Sequence, residues 1–245
     1  MEWFDFRQPV SAWSHASWWF LSIPTTLLLC RLARGNLLKQ IGFVIFGVCL
    51  VFCYGSSTLW HALQLPENER QVFAILDYAG IFALIAGTTT PILLVVLRGP
   101  WRIGSVAVTW LMAAGGVTVS LFQEDVSSRV FTLVYLTMGW GMCFSYFQLT
   151  RVLRHRQMIL VLLGGLFYSM GAVLNLAKWP VLLAGWVGPH EVFHVFVMAG
   201  TVSHFLFMVK VLLPFRHRSL VLAGTAGAGS AKPVLAGRPE MVSAG

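Results

Sequence analysis

Two histidines, His190 and His194, stand four residues apart in the segment HEVFH. Side chains four residues apart on a helix share one face, so these two imidazoles can bind one metal ion. The segment opens a long apolar stretch, and ionisable groups at membrane depth are costly enough to need a reason. The pair alone is a weak signal, because H-x-x-x-H also occurs by chance in apolar helices. Further ligands are needed to complete a metal site.

Two further polar side chains stand at the ends of other apolar stretches, His61 in SSTLWH and Asp77 in LDYAG. Three neutral imidazoles and one water would form an open zinc site of the catalytic kind, in which zinc acidifies its water and polarises a substrate carbonyl. Asp77 could hold that water, take its proton, or serve as a fourth ligand, which would close the site and favour a structural role. Ser57 could hold the water or a ligand ring, or bond back to a carbonyl of its own helix.

The composition identifies the elements that must position these residues. Hydrophobic residues make up 57% of the 245, and charged residues only 11%, against roughly a quarter in a soluble domain. Long uncharged runs recur, each near the ~20 residues that cross a bilayer. We therefore predict an all-α membrane protein, a seven-transmembrane helix bundle formed by residues 1–213. A flexible, low-complexity tail rich in Ala, Gly, Ser and Pro follows at 214–245. The predicted spans are 14–33, 40–63, 74–97, 103–123, 128–149, 158–177 and 190–212.

The number of membrane crossings between the candidate ligands places them at the same face of the membrane. The end of the second span and the starts of the third and seventh lie at the same membrane face, so His61, Asp77, His190 and His194 are expected at one level. His204 is fourteen residues from His190, about 21 Å along a helix, which is too far to share the ion. His15 starts the first span at the face of the site. The sequence assigns no role to His15 or His204.

The distribution of basic residues predicts an orientation. The net charge of +8 lies in short loops, where membrane topology explains it better than nucleic-acid binding. The loops after spans one, three and five and the tail hold most of it: Arg31, Arg34, Lys39, Arg98, Arg102, Arg151, Arg154, Arg156, Lys210, Arg216, Arg218, Lys232 and Arg238. The opposite side holds Arg7, Arg70, Arg129 and Lys178. The positive-inside rule then places the carboxyl terminus in the cytoplasm, and the amino terminus and the site outside.

HEVFH also fits the H-E-x-x-H pattern of zinc proteases, in which the glutamate is the general base. An intramembrane zinc protease is therefore one alternative. Such enzymes take a third, carboxylate ligand from a later segment, whereas LDYAG precedes the histidine pair here and a third histidine competes for the metal. The metzincin extension also fails, because position 200 is Gly where a third His is required.

Taken together, SSTLWH, LDYAGIFALIAGTTTP and GPHEVFHVFVMAGTVSHF resemble the hemolysin III group of the progestin and adipoQ receptor family, as does the amino-terminal RQPVSAWSH. The resemblance spans roughly residues 7–212. It implies a seven-helix bundle that holds zinc through His61, His190 and His194, with Asp77 and Ser57 near the water on the zinc. Animal relatives are linked to adiponectin or progestin signalling and to ceramidase-like hydrolysis, and bacterial relatives are named for haemolysis.

Two departures from the animal receptors affect the interpretation. Those receptors place their amino terminus in the cytoplasm, the reverse of the orientation predicted here. They also carry Gln at the position of Glu191, which makes Asp77 the preferred water-orienting group. We expect a zinc-dependent hydrolase of a lipid amide or ester bond in the plasma membrane, as in a bacterial inner membrane. The alternative is a non-enzymatic receptor, sensor or cytolytic protein with structural zinc.

Overall fold

The computed structural model describes residues 6–122 and 128–216. Within these ranges the regular elements are helices, with one isolated antiparallel bridge between Leu183 and Val187. The helices are α1 (Pro9–Leu32), α2 (Leu37–Ala62), α3 (Glu67–Val96), α4 (Gly99–Leu121), α5 (Ser128–Trp140), α6 (Cys143–Thr150), α7 (His155–Leu176) and α8 (Pro189–Phe207), with a π-helical turn (Met208–Leu212) that continues α8. The predicted all-helical fold is confirmed.

The described residues contain six segments that are long and apolar enough to cross a membrane. They are Leu37–Ala62, Glu67–Val96, Gly99–Leu121, Arg129–Thr150, His155–Leu176 and Pro189–Leu212. The chain is therefore a multi-pass membrane protein, and α1 is the remaining helix of the seven. Ser11, Ser14 and His15 of α1 contact Glu191 and His194, which belong to the site described below.

Helices α1 and α3 begin five and seven residues earlier than their predicted spans. Helix α1 starts at Pro9, whose fixed φ suits the first helical position. Helix α3 starts at Glu67, in a segment expected to be a connection. Acidic side chains in a first helical turn interact favourably with the helix dipole, so α3 extends one to two turns beyond its apolar stretch. The predicted fifth span is two helices, α5 and α6, which meet at Gly141.

Helix α2 packs between α1 and α3, α4 covers α3, and α7 packs along α8, which also touches α1. Close approach depends on glycines at these contacts. A Cβ on Gly87 of α3 would lie 2.5 Å from the Cβ of Cys49 on α2. A Cβ on Gly164 of α7 would lie 2.2 Å from the His204 ring on α8. These two pairs of helices therefore form the tightly packed frame of the molecule, and the site lies across both.

Helices α5 and α6 are held less tightly. Helix α5 touches α3, α4 and α7 over only a few residues. Phe144 of α6 is 86% exposed, as expected for a side chain that faces lipid. At the end opposite the site, buried Lys39 donates hydrogen bonds to the carbonyls of Leu213 and Phe215 at 2.6 and 2.7 Å, which fixes the end of the bundle. Most of the predicted tail, residues 217–245, lies outside the described residues.

Candidate metal centre

Three histidines from two helices meet in the interior. His61 ends α2, and His190 and His194 occupy the first two turns of α8. Each offers one ring nitrogen, and these three atoms all lie within 4.8 Å of one another. His61 and His194 are buried, and His190 is half-buried. The predicted convergence of the three side chains is confirmed, and the cluster could hold a metal ion.

The donor set fits zinc in kind, and one pair of donor atoms fits it in spacing. The Nε2 atoms of His61 and His190 are 3.3 Å apart. Two nitrogens bound tetrahedrally to zinc at ~2.0–2.1 Å stand about 3.3–3.4 Å apart by simple trigonometry. Imidazole also suits other transition metals, so the nitrogens alone do not set the metal's identity. Asp77 is not part of the group whose donor atoms meet, so three protein ligands leave one coordination position open.

The ring of His61 is oriented by the segment before α1. His61 Nδ1 lies 2.5 Å from Gln8 Oε1, and since an amide oxygen only accepts, Nδ1 carries the proton. Nε2 is then left with its lone pair directed at the other histidines. The main-chain N–H of Gln8 also donates to the main-chain carbonyl of His61 at 3.0 Å. Gln8 thus holds both the backbone and the ring of a candidate ligand, the kind of outer contact that sets tautomer and orientation.

His194 is flanked by two side chains of α1. Ser14 Oγ lies 3.5 Å from His194 Nδ1. The ring of His15 stacks on the ring of His194, with centroids 3.7 Å apart and planes at 22°. His15 is buried, and neither of its ring nitrogens has a hydrogen-bond partner among the described residues. His15 therefore packs against the centre without joining the group of converging nitrogens.

Both carboxylate oxygens of Glu191, the central letter of HEVFH, accept hydrogen bonds. One carboxylate oxygen accepts a hydrogen bond from Ser11 Oγ at 2.7 Å, and the other accepts from the Gly188 amide at 2.9 Å. The second contact caps the amino end of α8, where main-chain N–H groups otherwise lack partners. These two contacts give Glu191 a structural role, because they hold α1 against α8 and cap the amino end of α8.

Ser57 and Asp77 form a pair beside the histidines. The Ser57 hydroxyl, on α2 one turn before His61, donates to the Asp77 carboxylate on α3. Ser57 is buried. Both side chains line the same cavity as His190 and His194, so this cavity contains a carboxylate as well as two of the candidate ligands. The Ser57 contact shows how α2 and α3 bring Asp77 to the level of the histidines.

The cavity continues from this pair along α7. Its volume is about 250 Å³, and its lining on α7 runs from Asn175 near the site to Met158 near the opposite face. Seventeen residues of helix correspond to about 26 Å, close to the thickness of the hydrocarbon core. His204 lines the deep part, where its Nδ1 lies 2.9 Å from the Gly200 carbonyl. It is therefore apart from the metal centre, as its spacing predicts.

Sequence reasoning missed the partners that α1 supplies. Ser11, Ser14 and His15 are spaced i, i+3 and i+4, which places them on one helix face. That spacing is the signal that could have assigned them to the site together. Gln8 gives no such signal, because it precedes the helix and reaches His61 through the fold of the chain.

Comparison with known proteins gives a consistent set of relatives. A family model described as Haemolysin-III related matches residues 6–205. Hemolysin-3 of Bacillus cereus is 34% identical over 206 residues, which cover 83% of this chain and 91% of that protein. Heptahelical transmembrane protein ADIPOR2 of Oryza sativa subsp. japonica is 28% identical over 201 residues, 71% of this chain and 82% of that protein. Heptahelical transmembrane protein 1 of Arabidopsis thaliana is 29% identical over 187 residues, 70% of this chain and 56% of that protein.

Proposed function

The chain belongs to the Haemolysin-III related family, and we propose that it is a zinc-dependent membrane hydrolase that cleaves an amide or ester bond of a lipid. The observation that carries the proposal is the position of His61, His190 and His194. Their nitrogens converge at the end of a long cavity that also contains a carboxylate. A site that only joined helices would need no cavity leading to it.

Three side chains would hold the metal, Asp77 would transfer the proton, and Ser57 would position Asp77. Zinc in such a three-histidine site supplies a polarising charge for a substrate carbonyl and acidifies water. Asp77 would accept the proton released when water attacks the carbonyl, because its carboxylate lines the cavity together with His190 and His194. Ser57 positions the Asp77 carboxylate through their hydrogen bond. The proton then passes from Asp77 to the leaving amine or alcohol, as expected of a general acid–base group.

The cavity explains why the substrate would be a lipid. It is lined mainly by apolar side chains over most of the membrane thickness, and it is bordered by α5 and α6, the helices with the fewest packing contacts. A long acyl chain fits such a channel, and a loosely packed helix pair offers lateral entry from the bilayer. The polar end of the lipid would then lie beside Asp77 and His190.

The proposal is tested with purified protein in neutral detergent. Wild-type protein loaded with zinc is incubated with ceramides and with ester lipids, and the released fatty acid is measured by mass spectrometry. We expect release by the wild type and none by His190→Ala. Zinc bound without turnover of any of these lipids would contradict the hydrolase proposal.

A structural metal is the second candidate function. Burial of His61 and His194 favours it, because these side chains are almost inaccessible to solvent. A metal bound to them would join α2 to α8. The protein would then be a membrane receptor, sensor or cytolytic protein, the last in keeping with the name of the Bacillus cereus relative. In that case His190→Ala would lower the melting temperature while no lipid is consumed.

We further propose that the metal centre faces the outside or periplasmic side of a plasma membrane. Most described basic residues lie at the opposite end, in the α1–α2, α3–α4 and α6–α7 connections. Labelling of single cysteines from outside the cell tests this orientation. A cysteine at position 178 should react in intact cells, and one at position 154 only after lysis.

A further inference from the structure

Two arginines that the proposed hydrolysis does not use lie over Trp60, a residue of the cavity wall. The Arg7 guanidinium lies over the ring of Trp60, with its Cζ 4.3 Å from the ring centroid. The Arg70 guanidinium lies over the same ring at 5.6 Å. Trp60 directly precedes the candidate ligand His61 and lines the cavity. Two positive charges therefore converge on one aromatic ring next to a candidate metal ligand.

The fold satisfies these charges only in part. Arg7 Nη2 donates to the Trp60 carbonyl at 2.6 Å, but the buried Arg7 Nε has no hydrogen-bond partner among the described residues. Arg7 also has no ion pair with any residue that the structure describes. Arg70 pairs with Glu67 at 2.9 Å, but the Glu67 side chain is 91% exposed, and such surface pairs contribute little. Both guanidiniums thus retain donors for another group.

Keeping two like charges together is unfavourable without a compensating anion. Burial lowers the pKa of Arg7 from its ordinary value, and the charge of Arg70 lowers it further, against the weaker opposing effects of Asp77 and Glu67. Basic residues are also sparse at this face, where the sequence places only Arg129 and Lys178 besides these two. Half of the basic residues assigned to this face are therefore concentrated over one tryptophan beside the metal centre.

We propose that Arg7 and Arg70, arranged around Trp60, bind the phosphate of a lipid headgroup, so that the preferred lipid is anionic. Guanidinium groups bind phosphate through paired hydrogen bonds, and this recognition strengthens where water is scarce. Because Trp60 adjoins His61, a phosphate held there keeps the headgroup beside the metal centre while the acyl chain enters the cavity. The identification of that lipid as a substrate rests on the proposed function, but its binding does not.

The experiment compares two ligands that differ by one phosphate. Binding of ceramide and of ceramide phosphate to the full chain is measured in neutral detergent by native mass spectrometry. Using His190→Ala protein excludes hydrolysis. We expect the phosphorylated lipid to bind about tenfold more tightly. Arg70→Gln and Arg7→Gln should each remove most of that preference, and Lys178→Gln, an exposed charge at the same face, should leave it intact.

The source of the phosphate and the integrity of the variants are tested in the same series. Inorganic phosphate at millimolar concentration should displace little of the bound ceramide phosphate. Displacement of most of that lipid would indicate a site for the free ion and overturn the lipid assignment. Arg7 also contacts the backbone of α2, so Arg70→Gln decides the matter if Arg7→Gln fails to fold. Equal binding of ceramide and ceramide phosphate by His190→Ala protein overturns the inference even if wild type hydrolyses ceramide. A preference that persists without any hydrolysis upholds the inference and removes the hydrolase proposal.

Discussion

Ser11 Oγ donates a hydrogen bond to Glu191 Oε1 at 2.7 Å, across 180 positions of sequence. This contact ties the first turn of α1 to the first turn of α8. The other Glu191 oxygen caps α8 through the Gly188 amide, so the glutamate of HEVFH serves the architecture of the site. The two histidines that flank it remain free to point at His61.

Replacing Glu191 with Gln should leave metal binding and any hydrolysis nearly unchanged. Glutamine at this helix position can still accept from the Gly188 amide, so the loss of stability should be small, of the order of 1 kcal/mol or less. Glu191→Ala, which removes both hydrogen bonds, should lower the melting temperature more. Measurements of zinc content and lipid turnover separate these effects. A glutamine variant that binds zinc but is inactive would restore Glu191 as a general base.

Gln8 is not a candidate ligand, but it should affect how tightly the three histidines bind zinc. Gln8→Met removes the oxygen that orients the His61 ring at similar volume, and loss of such an outer contact typically weakens metal binding about 10–100-fold. Gln8→Glu retains an acceptor oxygen and should bind zinc at least as tightly as wild type. Competition with a chelator measures both variants. Equal zinc affinity in wild type and Gln8→Met would show that the contact does not orient the ligand.

Asp77→Asn should separate chemistry from metal binding. The amide is nearly isosteric with the carboxylate but cannot take a proton, and loss of a general base commonly costs about 10²–10⁴-fold in rate. Zinc content should stay at the wild-type level, because Asp77 is outside the converging group. Glu69→Gln, an exposed acid on the same helix, is the matched control. Loss of zinc in Asp77→Asn would instead make Asp77 a ligand and close the site.

Alanine substitution should have opposite effects on stability at two adjacent glycines of α7, Gly164 and Gly165. In Gly164→Ala the new Cβ would lie 2.2 Å from the His204 ring, and overpacking of this kind costs about 1–3 kcal/mol. In Gly165→Ala the Cβ meets nothing within 4 Å, and alanine favours a helix over glycine by about 0.8–1.0 kcal/mol. Thermal unfolding in detergent should therefore show a lower melting temperature for the first variant only. A fall of equal size in both would mean that α7 and α8 are not packed through Gly164.

Much of the fold follows from the sequence because hydropathy reports membrane spans directly. In a bilayer the backbone must satisfy its own hydrogen bonds, so a long apolar run in this chain has one regular solution, a helix. Counting those helices was then enough to place His61 and the pair His190 and His194 at one face. The break between α5 and α6 was not predicted, since Gly141 lies within an uninterrupted apolar stretch.

The contacts around the metal centre were harder to predict than its ligands. Ligand identity depends on residue type and on the face of the membrane, and both can be read from the sequence. The orientation of the His61 ring depends on Gln8, a residue 53 positions away that lies outside any periodic segment. The stacking of His15 on His194 depends on how closely α1 approaches α8, which no local pattern encodes.

We infer that His61, His190 and His194 hold one metal ion together, and the metal content of purified protein tests this claim. Wild type should contain about one zinc per chain by elemental mass spectrometry, as expected for a single three-histidine site. His61→Ala should contain almost none, although it leaves the HEVFH pair intact. Lys178→Gln serves as the folded control. Zinc retained by His61→Ala at the wild-type level, or a wild type that fails to take up added zinc, would contradict the claim.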